Sequence, residues 1–154
     1  MKLNFTRALA LFFAAYIIVT FLAAGITEGY GFFGNPPAAA PGLSPVKMPV
    51  FVATVPYHVL LMLIVWPIFA AIYFKKGRSS NYLEEKAETR NLAFLWLAMA
   101  IMVDFVGFVL IKHPYSLTAH AFYVDYQPWI SLIYLAIFLS PWIRLGLSGR
   151  AAKR

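Results

Sequence analysis

The 154-residue sequence contains no cysteine. This excludes disulfides, Cys-ligated zinc, iron–sulfur clusters and thiol nucleophiles. Charge is also scarce: Asp, Glu, Lys and Arg together make up 12% of the chain, and only six residues are acidic. That share is about half the usual one. Gly-rich phosphate loops, Gly-x-Ser-x-Gly and His-Glu-x-x-His are missing, so we expect no cofactor. Internal repeats and low-complexity tracts are missing too. What fills the chain is apolar: 62% of residues are hydrophobic and the mean hydropathy is +0.73. Disorder, a coiled coil and an ordinary soluble domain are excluded by these values.

Four long apolar runs organise the sequence, at about 8–25, 50–74, 91–111 and 128–145. Roughly 20 residues of helix cross a hydrocarbon core of ~30 Å. Continuous runs of this kind predict helices, not the alternating strands of a barrel. The basic residues set the expected orientation. Eleven of the thirteen lie before the first run, between the second and third, or after the fourth. Only Lys47 and Lys112 fall in the other two connections. The positive-inside rule therefore predicts cytoplasmic termini, a cytoplasmic loop over 75–90 and outer loops over 26–49 and 112–127. The net charge of +7 is explained by this asymmetry, and we expect no nucleic-acid partner. The first run exceeds the length of a signal-peptide core, and Leu22 mismatches a small-x-small cleavage site, so it reads as a retained helix. The expectation is one all-α, polytopic domain, 1–154, of the plasma (cytoplasmic) membrane, with four transmembrane helices and both termini cytoplasmic. Its expected partners are membrane lipids and other membrane helices or a second copy in a homodimer.

The connections carry their own signals. The segment 26–49 is broken by Gly34-Asn35-Pro36-Pro37 and by Pro41, Pro45 and Pro49. In the cytoplasmic loop, Asn81 followed by Glu84 resembles a capping box, and the charges there read as a wet face. Asn4-Phe5-Thr6 spells a glycosylation sequon on the cytoplasmic side, where it is not used. Trp66-Pro67 predicts a kink in the second helix.

Asp104 is the most informative polar residue, because a carboxyl within an apolar helix must face protein or water. His58 lies at a matching depth toward the outer side of its own helix, so the two residues are candidates for a pair. Thr54 extends the stripe one turn from His58, Tyr16, Thr20 and Thr27 share a face of the first helix, and Gln127, Ser131 and Tyr134 share one on the fourth. We therefore expect an intramembrane polar site built from His58, Asp104, Thr54, Thr20, Ser131 and Tyr134, opening outward. The cytoplasmic half is expected to hold no buried titratable group. A bundle also needs polar stripes simply to find its own helix partners. His113 and His120, seven residues apart with Asp125 nearby, match no tight ligand spacing, so no metal site is expected.

Val103-Asp104-Phe105 and Phe122-Tyr123-Val124-Asp125 place two aspartates 21 residues apart, one on the third helix and one at the entrance to the fourth. With the four-helix topology, this resembles bacterial signal peptidase II, the lipoprotein signal peptidase. The resemblance implies catalytic roles for Asp104 and Asp125 as an aspartyl dyad, one carboxyl activating water and the other donating a proton. The first-helix Asp-x-x-Thr-Lys pattern of that family has no counterpart at Ala14-Ala15-Tyr16-Ile17-Ile18, and the second motif lacks the family's Asn and Ala. Three functions fit this inventory. They are a non-enzymatic accessory or small-molecule/lipid-binding component, an intramembrane aspartyl peptidase, and a small proton-coupled carrier with Asp104 as relay.

Overall fold

Backbone N–H and C=O groups in an apolar medium need partners within their own segment, and helices supply them. The computed structural model describes residues 3–75, 82–113 and 115–151. Its long helices are α1 (Phe5–Phe33), α2 (Pro49–Phe74), α3 (Tyr82–Asp104) and α4 (Trp129–Ala151). No strand occurs among the described residues. All four helices are long and apolar enough to cross a membrane, as an integral membrane protein requires.

Three helices extend past their apolar runs, α4 by reaching Ala151. α1 continues through Gly25, Gly29 and Gly31, although helical glycine is unfavourable by about 1 kcal/mol each relative to alanine. Helix formation needs internal backbone bonding, not uniform hydropathy, so the run's apparent end at Gly25 does not stop it. The stop comes at Gly34-Asn35-Pro36, where Asn35 takes a positive φ of 46° and the Gly34 N–H donates to the Tyr30 carbonyl at 2.8 Å. Much of the expected loop over 26–49 is therefore helix. At the other end of α1, Asn4 caps the helix by accepting the Arg7 N–H at 3.0 Å.

α3 likewise starts at Tyr82, within the stretch expected as a cytoplasmic loop. The wet face expected here holds for Glu84 and Lys86, which are exposed, but not for Glu85. Glu85, Glu88, Thr89, Leu92 and Trp96 recur at helical spacing and are all buried. Asn81, on which the capping-box reading rests, lies outside the described residues. α2 runs without interruption past Pro56 and Pro67.

The helices pack in the order α1–α2–α4–α3, and α1 meets α3 only sparsely. Four antiparallel passages put the start of α1, the end of α2, the start of α3 and the end of α4 at one end, the terminal end. The 34–48 and 111–128 connections share the other, the loop end. Midway along the bundle, Trp66 sits between Phe12 of α1 and Trp96 of α3, with ring centroids 5.4 and 5.3 Å away. Trp96 Nε1 donates to the Ala8 carbonyl at 3.0 Å, closing α3 onto α1.

The terminal end is stitched by polar contacts. Arg144 of α4 pairs with Glu85 of α3, and its guanidinium lies 4.3 Å from the centroid of the Phe74 ring. Tyr73 of α2 donates to Glu88 at 2.7 Å and accepts the Asn4 N–H at 2.9 Å. Arg7 donates to the Ile72 carbonyl at 2.6 Å. The expectation that this half holds no buried titratable group is thus corrected: Glu85, Glu88 and Arg144 are each no more than 8% exposed. They enter the interior because each charge meets an answering group on another helix, the condition under which charges are buried at all.

Removing one partner of such a pair strands the other. Arg144→Ala is therefore expected to destabilise the folded protein by about 3–5 kcal/mol, whereas the paired apolar replacement Glu85→Leu/Arg144→Met should be far milder. Unfolding titrations in mixed detergent micelles check this. A double variant as damaged as Arg144→Ala would contradict the stranded-charge argument.

Candidate functional site

In the loop-end half the bundle opens into a cavity of about 530 Å3. α1 forms one wall from Tyr16 to Glu28. α2, the end of α3, the start of α4 and both loop-end connections form the rest. The sparse seam between α1 and α3 leaves the room for it. Thr20 and Ala24 line the cavity yet remain exposed, so it is open to the surroundings along α1. Above it, Pro45 and Val46 of a short 3-10 turn (Pro45–Lys47) fold in from the 34–48 connection, and Val46 is buried.

Asp104 sits on the cavity wall, 7% exposed. Tyr16 Oη donates to its Oδ1. Tyr134 Oη is buried beside the same carboxyl but completes no hydrogen bond of good geometry. Directly after Asp104, the helix widens into a π-helical stretch (Phe105–Leu110), a distortion that recurs at functional sites. A second π-helical turn (Ala121–Asp125) brings in Phe122 and, just beyond it, Tyr126. Burial pushes the Tyr126 phenol well above its ordinary value, and the Asp104 carboxyl pushes it further the same way. Tyr126 therefore remains a neutral hydroxyl.

His58 belongs to a second polar chain on the same cavity. Thr54 Oγ1 donates to the Val50 carbonyl at 2.9 Å. A hydroxyl has one proton, so Thr54 accepts from Thr27, 3.0 Å away. Thr27 has then used its own proton and must accept from His58 Nε2, also at 3.0 Å. The order His58 → Thr27 → Thr54 → Val50 fixes the proton on Nε2 of His58. The Phe51 ring packs edge-on to the imidazole, with centroids 5.7 Å apart.

The expected site is thus gathered in part. His58, Asp104 and Thr20 line the cavity, and Thr54 and Tyr134 lie directly behind it. Thr20 returns its own hydroxyl to the Tyr16 carbonyl at 2.8 Å. Ser131 is elsewhere: it is exposed and donates to Gln127 Oε1 at 2.7 Å. His58 and Asp104 share the cavity, but no hydrogen bond or ion pair joins them among the described residues; each is engaged by α1, through Thr27 and Tyr16. Those two α1 residues complete the site. Their spacing on one face of α1 was the available signal, but nothing in the sequence ties them to α2 and α3.

Asp125 has different company from Asp104. It lies 2.9 Å from Lys47 Nζ and 3.8 Å from His120 Nε2, and it does not line the cavity. His113 does line it, donating from Nε2 to the Gly107 carbonyl at 2.9 Å and accepting the Tyr115 N–H at Nδ1. Among the described residues, no three His, Asp or Glu side chains converge as a metal site would need. Comparison with family models, curated proteins and solved structures finds no match to this chain.

The hydrogen-bond order yields a coupling pattern. Double-mutant cycles for Tyr16→Phe with Asp104→Asn, and for Thr27→Val with His58→Ala, are each expected to show a coupling of about 0.5–3 kcal/mol. The His58–Asp104 cycle should fall close to zero by comparison. Thermal unfolding in detergent reads all three, and a His58–Asp104 coupling as large as the other two would contradict the two-chain arrangement.

Proposed function

We propose that this is a non-enzymatic membrane component that binds a small amphipathic molecule or lipid in its loop-end cavity. The observation that carries the reading is the cavity itself. Its volume falls within the ~300–1,000 Å3 of small-molecule sites, and its wall is mostly apolar and aromatic with a few fixed polar groups. The distribution of Lys and Arg supports cytoplasmic termini, which would turn the cavity toward the outer face of a plasma membrane. The opening along α1 suits a ligand arriving from the bilayer. A peptidase dyad would need Asp104 and Asp125 to meet one substrate. Here Tyr16 engages the first and Lys47 the second, which favours binding over hydrolysis.

Ala23 lines the cavity on α1, and Ala23→Trp would fill part of it. Native mass spectrometry of protein isolated from its own membrane should find one stoichiometric small-molecule or lipid adduct. That adduct should be lost in Ala23→Trp while the variant keeps its helical circular-dichroism spectrum. Identical adducts on both proteins, or none on either, would contradict a cavity-bound ligand.

A further inference from the structure

The chemistry of the cavity wall narrows the class of ligand. Two carboxyl groups line it, from Asp104 deep in the bundle and Glu28 toward the loop end of α1. No lysine or arginine lines it. The nearby Lys47 is held by Asp125, outside the cavity. His113 engages backbone groups through both ring nitrogens. His58 lines the cavity as well, with Nε2 engaged by Thr27, and the remaining polar groups of the wall are chiefly hydroxyls, which hold no charge. Around these groups stand aromatic rings from α1, α2, the π-helical stretch after α3 and the connection before α4, including Tyr16, Phe51, Trp66, Phe108, Phe122 and Tyr126.

An anion entering here would meet two carboxyls and no lysine or arginine to answer it. A wholly apolar molecule would shield the Asp104 carboxyl without satisfying it, and unsatisfied buried acceptors are unfavourable. Tyr16 occupies one oxygen only, and a carboxylate has about four acceptor positions. Aromatic π faces attract cations, most strongly where water is excluded. A carboxyl among aromatic rings in an apolar cavity therefore favours a cation with an apolar body over a neutral or anionic ligand of the same shape.

We propose that the cavity is a binding site for a lipophilic organic cation, with Asp104 as its deep counter-charge and Glu28 as a second carboxyl nearer the loop end. This rests on the small-molecule reading above and specifies the ligand it would take.

Tetraphenylphosphonium and tetraphenylborate are near-identical in shape and opposite in charge, and their binding to the detergent-solubilised full chain can be compared by isothermal titration against empty micelles. The phosphonium ion is expected to bind at least about tenfold more tightly than the borate. Asp104→Asn should weaken it by about tenfold, and Glu28→Gln by a smaller factor. Glu28 is exposed, so its variant is informative even where Asp104→Asn does not fold. Equal binding of both ions, abolished by Ala23→Trp, would overturn the cation assignment and leave the small-molecule site standing. Unchanged phosphonium affinity in both carboxyl variants would overturn it equally. If neither ion binds, the assignment falls, and the native adduct decides separately whether the cavity takes another kind of molecule.

Discussion

A polar side chain carried into an apolar helix bundle must find its partner inside the protein, because the surroundings offer none. Most of this chain's architecture follows from that constraint. Each helix presents apolar residues outward, and Ile17, Phe21, Ile64 and Phe94 are all more than half exposed. The few polar groups turn inward and meet one another. Arg144 answers Glu85, Tyr73 answers Glu88, Tyr16 answers Asp104, and Thr27 joins His58 to Thr54. These contacts specify which helix lies beside which. Apolar packing alone would do so poorly in lipid, where every apolar surface is already accommodated.

The two ends of the bundle use the constraint differently. At the terminal end the charges are paired with opposite charges or strong donors, and the helices close on them. At the loop end Asp104 has a hydroxyl partner and no cation, and α1 and α3 stand apart at the cavity. The first arrangement holds the bundle together. The second leaves an acceptor facing a hollow, at the point where α3 departs from α-helical geometry. Stability and a candidate site are thereby separated along the same four helices. The loop-end connection that folds over the hollow is held by a partly exposed ion pair, Lys47 with Asp125, which contributes little by itself.

Much of this was legible in the sequence because hydropathy is a long-range average. Runs of apolar residues mark the four helices, and Asp104 and His58 stand out against that background as the polar groups of the deeper site. Helix ends were less legible. α1 passes its glycines and α3 begins among charges because backbone bonding, and partners on other helices, decide where a helix stops. The buried charges at the terminal end follow the same logic. Glu85 and Glu88 look solvated until Arg144 and Tyr73 arrive from helices distant in sequence, although the helical spacing through Thr89, Leu92 and Trp96 already marked an inward face. The pairing inside the site was the least legible part. His58 and Asp104 lie at similar depth, but depth does not fix rotation about a helix axis. The structure gives each of them a partner on α1 instead.

On the proposed reading, the Asp104 carboxyl faces a ligand and not only its own helices. Solid-state magnetic resonance can test it directly, through contacts from the labelled Asp104 carboxyl carbon in protein kept in its native membrane. Cross peaks to protons of a non-protein molecule are expected, together with those of Tyr16. Cross peaks confined to protein side chains and water, with α1 closed onto α3 across the cavity, would contradict it.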